Sequence, residues 1–327
     1  MSSEEIKDQH FLPACYLDGF TNKTGKLYAL DLTWFIKRGS KPVIKSFSPG
    51  SICHEEHFYT LTEEMARYNV NGVEDKYAVE KGFYTYENIY KSLVAKVAGG
   101  KPLKRHDAEI LIRTLIDLKF RNKFYRDHFI GGRQIELVDG TFDQIKTAIL
   151  NDPAYLAAFG DVDPQLLLQL NEDVRQRYLN DPEFKKHTHL SSIYRKDDAY
   201  GLVVEGLVNK LLWVPWRIYR SANLFLGTDN PGFSMDEHSK LHNTYFKKKF
   251  IFHFPLNDSL CLVIADPFPD MQFLTDQTVK HYLTETMDES VVHDINKMSL
   301  FHFTNLLYSP DRSLLEDIIP LIKRKES

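Results

Sequence analysis

Phe250-Ile251-Phe252-His253-Phe254-Pro255-Leu256-Asn257-Asp258-Ser259-Leu260-Cys261-Leu262-Val263-Ile264-Ala265 is the stretch on which the fold turns. Phe250, Phe252 and Phe254 alternate with Ile251 and His253, the two-residue period of a strand with one buried face. Leu256-Asn257-Asp258-Ser259 is turn chemistry, and the apolar run over 260–265 supplies a returning strand. A lone hairpin is marginal in water, so this one needs other elements against it.

Working outward, the N-terminal region offers the other strands. Pro13 opens a short helix on which Tyr16, Leu17 and Phe20 share a face, and Gly19 with Thr24-Gly25 ends it. A strand follows over 26–32. Residues 42–60 read as a loop with short strands, because Ser48-Pro49-Gly50 is a turn and Phe58-Tyr59 favour a pleated surface. The strand at each end is too short to stand alone. The fold class expected is therefore α+β, a mostly helical single domain over 1–327 with one small, mainly antiparallel sheet that joins the N-terminal strands to the late hairpin.

Between them the period turns helical. Helices are expected over 73–97 and 107–129, separated by Gly99-Gly100-Lys101-Pro102, with Leu111, Leu115 and Leu118 as a core stripe. Residues 141–186 read as a peripheral acidic helical insert, since Asp152-Pro153, Asp163-Pro164 and Asp181-Pro182 each pair an N-cap with proline at the first helical position. A further helix is expected over 197–213. A strand over 217–226 should end at Thr228-Asp229-Asn230-Pro231, and helices from Val279 and Val291 should close the chain.

Composition bounds the function. With 327 residues and 43% hydrophobic content the chain can bury a core. Cys15, Cys53 and Cys261 are odd in number and far apart, which argues against a disulfide framework or a cysteine zinc site and fits a reducing cytoplasm. A net charge of −4 gives no bulk attraction to nucleic acid or anionic membranes. The polar first ten residues lack a signal-peptide core, and the apolar 201–216 stretch is interrupted by Glu205 and Lys210, so no membrane association is expected. P-loop, G-x-G-x-x-G, H-E-x-x-H and G-x-S-x-G patterns are missing, which shifts any enzymatic reading toward a site assembled from distant residues.

Gln9-His10-Phe11-Leu12-Pro13-Ala14-Cys15-Tyr16-Leu17-Asp18-Gly19-Phe20 resembles the opening signature of a bacterial family, domain of unknown function 4238. Phe58-Tyr59, the helix with Glu80 and Glu87, Arg121-Asn122 with Arg126, Thr228-Asp229-Asn230-Pro231 and Ile295-Asn296 agree with it in order. The resemblance covers about His10 to Ser309 outside the insert. It implies one large domain and brings no settled activity with it.

His10, Glu87, Arg121 and Asp229 are the candidate catalytic residues. His10, just before a helix, would serve as base or instead brace the turn. Asp229 at a strand end would present a carboxylate or instead bond turn amides two residues on. Arg121 offers a two-point anion clamp, whereas Arg113, at a spacing of four from Asp117, reads as part of a solvated ladder. Glu80 or Glu87 could pair with Arg121 or help Asp229 hold a divalent metal. His54 and His57, and His187 and His189, are weaker metal signals. Two function classes follow. One is a hydrolase acting on a phosphate-containing or nucleic-acid substrate, for which a toxin or phage-defence effector is the setting by analogy. The other is a non-enzymatic protein that recognises a protein or small ligand through aromatic surface or the insert.

Overall fold

The computed structural model describes residues 8–33, 43–62, 75–128, 134–183, 186, 189–190, 193, 199–247, 249–266 and 278–323. The first part of the chain carries β1 (Asp8–His10), α1 (Ala14–Leu17), β2 (Leu27–Asp31), β3 (Ile44–Phe47), β4 (His54–Glu56), α2 (Ala78–Ala98), β5 (Leu103–Lys104) and α3 (Arg105–Phe120). Next come α4 (Gln134–Asn151), α5 (Pro153–Ala157), α6 (Pro164–Asn180), α7 (Ala199–Trp213), β6 (Trp216–Arg220), β7 (Gly227–Thr228), β8 (Phe233–Met235) and β9 (Leu241–His242). The last part is β10 (Phe250–Pro255), β11 (Leu260–Asp266), β12 (Val279–Lys280), β13 (Leu283–Thr286), α8 (Glu289–Ser299), β14 (Leu306–Ser309) and α9 (Arg312–Lys323).

β10 and β11 form the hairpin, with Phe252 opposite Ile264 and Phe254 opposite Leu262. Asn257 turns it, its Oδ1 accepting from the Ser259 amide at 2.9 Å and the Leu260 amide at 2.7 Å. The alternation sorts the faces as a strand must. Phe250, Phe252, Phe254, Leu262 and Ile264 enter the main core with Tyr90, Leu93, Leu111, Leu115 and Leu211 from α2, α3 and α7. Cys261 and Val263 point the other way, to Phe225, Phe233 and the Val292 and Ile295 face of α8.

The single small sheet is overturned. The described residues contain four sheets, one of them six-stranded in the order β13-β6-β11-β10-β8-β9, and the N-terminal strands lie outside it. β2 pairs instead with β3 and with β14 from the far end of the chain, in a four-stranded sheet that also holds β7. That sheet packs Leu30 and Leu307 on Leu315, Ile318 and Ile322 of α9. β1 pairs with β4 alone, and β5 with β12. The helix expected from Val279 is a second correction: Val279–Lys280 is a strand on Leu103–Lys104, and Leu283–Thr286 runs parallel to β6. Strands of two to four residues are fixed by distant partners, which no local period records.

α5 and α6 begin where their Asp-Pro steps predict. Asp152 accepts from the Ala154 and Tyr155 amides and Asp163 from the Gln165 amide. α6 returns along α4, with Arg175 Nε 2.7 Å from Asp139 and Asn171 Nδ2 donating to the Phe142 carbonyl. Among the described residues no helix is long and apolar enough to cross a membrane.

Candidate functional site

The apolar stripe of α3 runs into polar residues that stay buried. Leu111, Ile112, Leu115, Ile116 and Leu118 enter the core, and Lys119, Arg121 and Asn122 follow them inside. Arg121 is the C-cap of α3 and reaches across to the N-terminal strand and α2. Its Nη1 lies 2.8 Å from Glu87 Oε1, its Nη2 donates to the His10 carbonyl at 2.9 Å, and its Nε donates to the Phe11 carbonyl at 3.3 Å. The guanidinium stands 4.2 Å from the Phe83 ring centroid, a cation–π distance. Tyr59 donates its hydroxyl to the Arg121 carbonyl at 2.7 Å, and its own amide is held by Gln9 Oε1.

Glu80 and Glu87, seven residues apart, share one side of α2. Glu87 takes the arginine. Glu80 is 5% exposed, and its Oε2 is buried without a hydrogen-bond partner. Burial pushes its carboxyl up to about 7, with Arg121 opposing, Glu87 adding to the rise and a hydrogen bond from the His10 backbone amide opposing it. A buried acceptor left unbonded costs about 1–3 kcal/mol, so an empty oxygen here is a feature that packing alone does not ask for.

His10 faces His54 across the β1–β4 pair, their ring centroids 5.4 Å apart, and His54 lies 3.5 Å from Asp8. His10 Nε2 sits 3.2 Å from the Gly50 carbonyl oxygen. A carbonyl only accepts, so Nε2 carries the proton and Nδ1 is the basic nitrogen. Burial lowers the His10 pKa, opposed by the Gly50 bond and reinforced by His54. Beside this cluster Cys15 is an inert thiol, since burial, helped by Glu87, pushes it up to about 12.

Asp229 belongs to a second network. Its carboxylate accepts the amides of Thr304 and Asn305 at 2.8 Å each and of Leu306 at 3.1 Å, pinning the segment that leads into β14. Burial pushes its carboxyl up to about 6 against the pull of those three bonds. Next to it, Asn230 Oδ1 accepts from Lys119 Nζ at 2.8 Å and from Asn122 Nδ2 at 2.9 Å, and its Nδ2 donates to Asn243 Oδ1. Lys119 also donates to the Gly232 carbonyl at 2.7 Å, and burial holds its pKa well below the ordinary lysine range.

Of the four sequence candidates, then, His10, Glu87 and Arg121 meet, while Asp229 bonds backbone amides elsewhere. Arg121 has its Nη1, Nη2 and Nε engaged, which leaves little of the fork for a substrate anion. The more exposed cations at this end of α3 are Lys123, 2.7 Å from Glu55, and Arg126, 3.2 Å from Glu55 and over the Phe58 ring. Arg113 makes a two-point bridge to Glu205 of α7 at 2.7 Å, and Glu109 of its own helix lies 3.7 Å away. Among the described residues no group of three or more His, Cys, Asp or Glu is arranged to hold a metal ion. His57 Nδ1 bonds Thr60, His189 is buried with Nε2 3.0 Å from the Phe120 carbonyl, and His187 lies outside the described residues. Sequence reasoning missed Lys119 and noted Asn122 and Asn230 only as parts of the family pattern, without a role. Lys119 carried a signal, falling four residues after Leu115 and seven after Ile112, in register with the buried face.

Fold and site together define a mixed helix-and-sheet protein in which Arg121 at the end of one helix joins the Glu87 carboxylate to the backbone of His10, with Glu80 buried nearby. The family model described as Protein of unknown function (DUF4238) matches residues 8–313, and the chain belongs to that family. No curated protein and no solved structure matches it.

Proposed function

We propose that the His10, Glu80, Glu87 and Arg121 cluster is an acid–base site that hydrolyses a phosphate-containing substrate, nucleic acid included. The observation that carries the reading is Glu80, a buried carboxyl with one oxygen unpartnered, beside a second glutamate already joined to arginine. Two carboxylates in unlike surroundings divide into a proton donor and a charged partner. In this scheme His10 Nδ1 takes a proton from water as its oxygen attacks phosphorus, and protonated Glu80 gives a proton to the departing oxygen. Arg121 positions Glu87 and the His10 strand, while Lys123 and Arg126 face the substrate's charge.

The proposal is tested on bis(p-nitrophenyl) phosphate and on labelled single-stranded RNA and DNA. Activity should fall as pH rises through about 7, where Glu80 loses its proton, and fall again below the depressed His10 pKa, where the base is protonated. Glu80→Gln should lower turnover by roughly 100-fold or more, the usual worth of a general acid, without loss of folding. If no phosphate ester is cleaved, or Glu80→Gln turns over normally, the site is a structural brace. The second reading, a binding protein, then leads, and the saturation of Asp229 and Arg121 by neighbouring groups favours it.

A further inference from the structure

The helix α6 has two unlike flanks. On one, Glu172, Gln176 and Asn180 follow at steps of four and are joined side chain to side chain, Gln176 Nε2 donating to Glu172 Oε1 at 2.7 Å and Asn180 Nδ2 to Gln176 Oε1 at 2.9 Å. The other flank carries Leu166, Leu170 and Val174, again at steps of four and all exposed, Leu166 by 58% and Leu170 by 56%. Asn171 and Arg175, which hold α6 to α4, lie between the two flanks and leave the apolar stripe uncovered. Isolated exposed leucines are ordinary, but three apolar residues in register on one helix make a continuous ridge. Asp163 and Arg177 lie on the same stripe, seven residues before and seven after Leu170, and both are exposed.

The stripe is its own complement. In an antiparallel pair about a two-fold axis at Leu170, each residue meets the one equally far on the other side of that leucine. Leu166 then meets Val174 of the copy, Leu170 meets Leu170, and Asp163 meets Arg177, so every apolar contact and the ion pair are made twice. A parallel pair would set Asp163 on Asp163 and Arg177 on Arg177. The remaining acids near the stripe do not oppose this arrangement directly. Asp173 stands at its edge, one turn before Arg177 and about 9 Å along the axis from its own copy, while Asp181 has its carboxylate on the Glu183 amide. We infer that a second copy of this chain covers α6, in an antiparallel pairing centred on Leu170. The apolar residues supply the attraction, and the Asp163–Arg177 pairs fix direction and register, because exposed ion pairs add little affinity. One helix against one helix buries less than about 1,200 Å², so the dimer is weak and depends on concentration.

Sedimentation equilibrium of the full chain should show a mass that rises with concentration from one chain toward two. Leu170→Glu, which sets two carboxylates against each other at the axis, should stay monomeric where the native chain is mostly paired, with an unchanged melting temperature because the position is exposed. Gln176→Ala, on the other flank, should pair as the native chain does. Arg177→Glu and Asp163→Lys should each weaken pairing by about threefold or more, two ion pairs being reversed in each. An equimolar mixture of the two should pair better than either variant alone, since a mixed dimer regains both ion pairs with their signs exchanged at one end. Under mild oxidation Leu170→Cys should form an intermolecular disulfide, whereas Leu166→Cys, about 12 Å along the axis from its own copy, should do so only when mixed with Val174→Cys. The inference is overturned if the native chain remains monomeric up to about 1 mM. It is equally overturned if Leu170→Glu pairs as well as the native chain, or if Leu166→Cys cross-links to itself as readily as Leu170→Cys, which would mean a parallel or shifted pairing.

Discussion

Glu80 shows how a single residue ties stability to chemistry. Its carboxyl rises from 4.5 to about 7 on folding, so the folded chain holds the proton more tightly than the unfolded one. The stabilisation is complete below the unfolded pKa and is lost as pH climbs through about 7. At 1.36 kcal/mol per pKa unit, the whole effect is about 3 kcal/mol. Glu80→Gln, neutral at every pH, should therefore match the native chain near pH 4.5 and exceed its melting temperature at pH 8. A difference between the two that does not change with pH would mean that Glu80 ionises as an ordinary surface acid. At this scale the sequence was partly legible. A polar set made of His10, Glu87 and Arg121 could be assembled from spaced fragments, because the family resemblance singles them out among many residues of the same types. The weight of Glu80 could not, because an unbonded oxygen exists only once α2, α3 and β1 have closed around it. Asp229 was readable as either a strand-end carboxylate or a turn acceptor, and its amide partners come from residues 304–306, some seventy-five positions away.

The β10–β11 hairpin was legible as an element because its period is local: every second side chain of Phe250, Phe252 and Phe254 is buried on the same face. β6 was read as a strand, over 217–226, but its pairing with β11, the strand β8 and the meeting of β2 with β14 were not legible, because two strands of three to five residues reveal nothing of each other along the chain. The run from Val279 was read as helix although Val279, Thr284 and Thr286 are β-branched, a type that favours strands. Where β7 meets β14 the packing allows no side chain. A Cβ at Gly227 would fall 1.9 Å from the Tyr308 ring, and Tyr308 holds its own place by donating its hydroxyl to the Thr228 carbonyl at 3.1 Å. Gly227→Ala should cost at least about 1–3 kcal/mol, the range for overfilled cores, seen as a lower urea midpoint with an unchanged slope. Gly227→Ala combined with Tyr308→Ala should cost less than the sum of the two, since the second removes the clash. Additive costs would place the Tyr308 ring elsewhere.

At the scale of the whole molecule, the three hydrophobic clusters draw on both ends of the chain but take nothing from 141–180. Ile149 and Tyr178 in that stretch are buried, yet they belong to none of the three. The sequence suggests an excursion over 141–186, but Lys186 donates to the His57 carbonyl at 2.9 Å and so is tied to the body. The cut that follows from these contacts is 141–181. Asp139 lies 2.7 Å from Arg175 near the far end of α6, so the severed ends stand close together and a short Gly-Ser bridge can span them. Closing a loop costs only about 0.6 kcal/mol for each doubling of its length, so the bridge itself is a small perturbation. The shortened chain should keep a single cooperative melt within a few degrees of the native one and retain any phosphate-ester hydrolysis. A broad, uncooperative melt would instead make the helical unit part of the main core, because a unit that packs on none of the three clusters has no route by which its removal could unfold them.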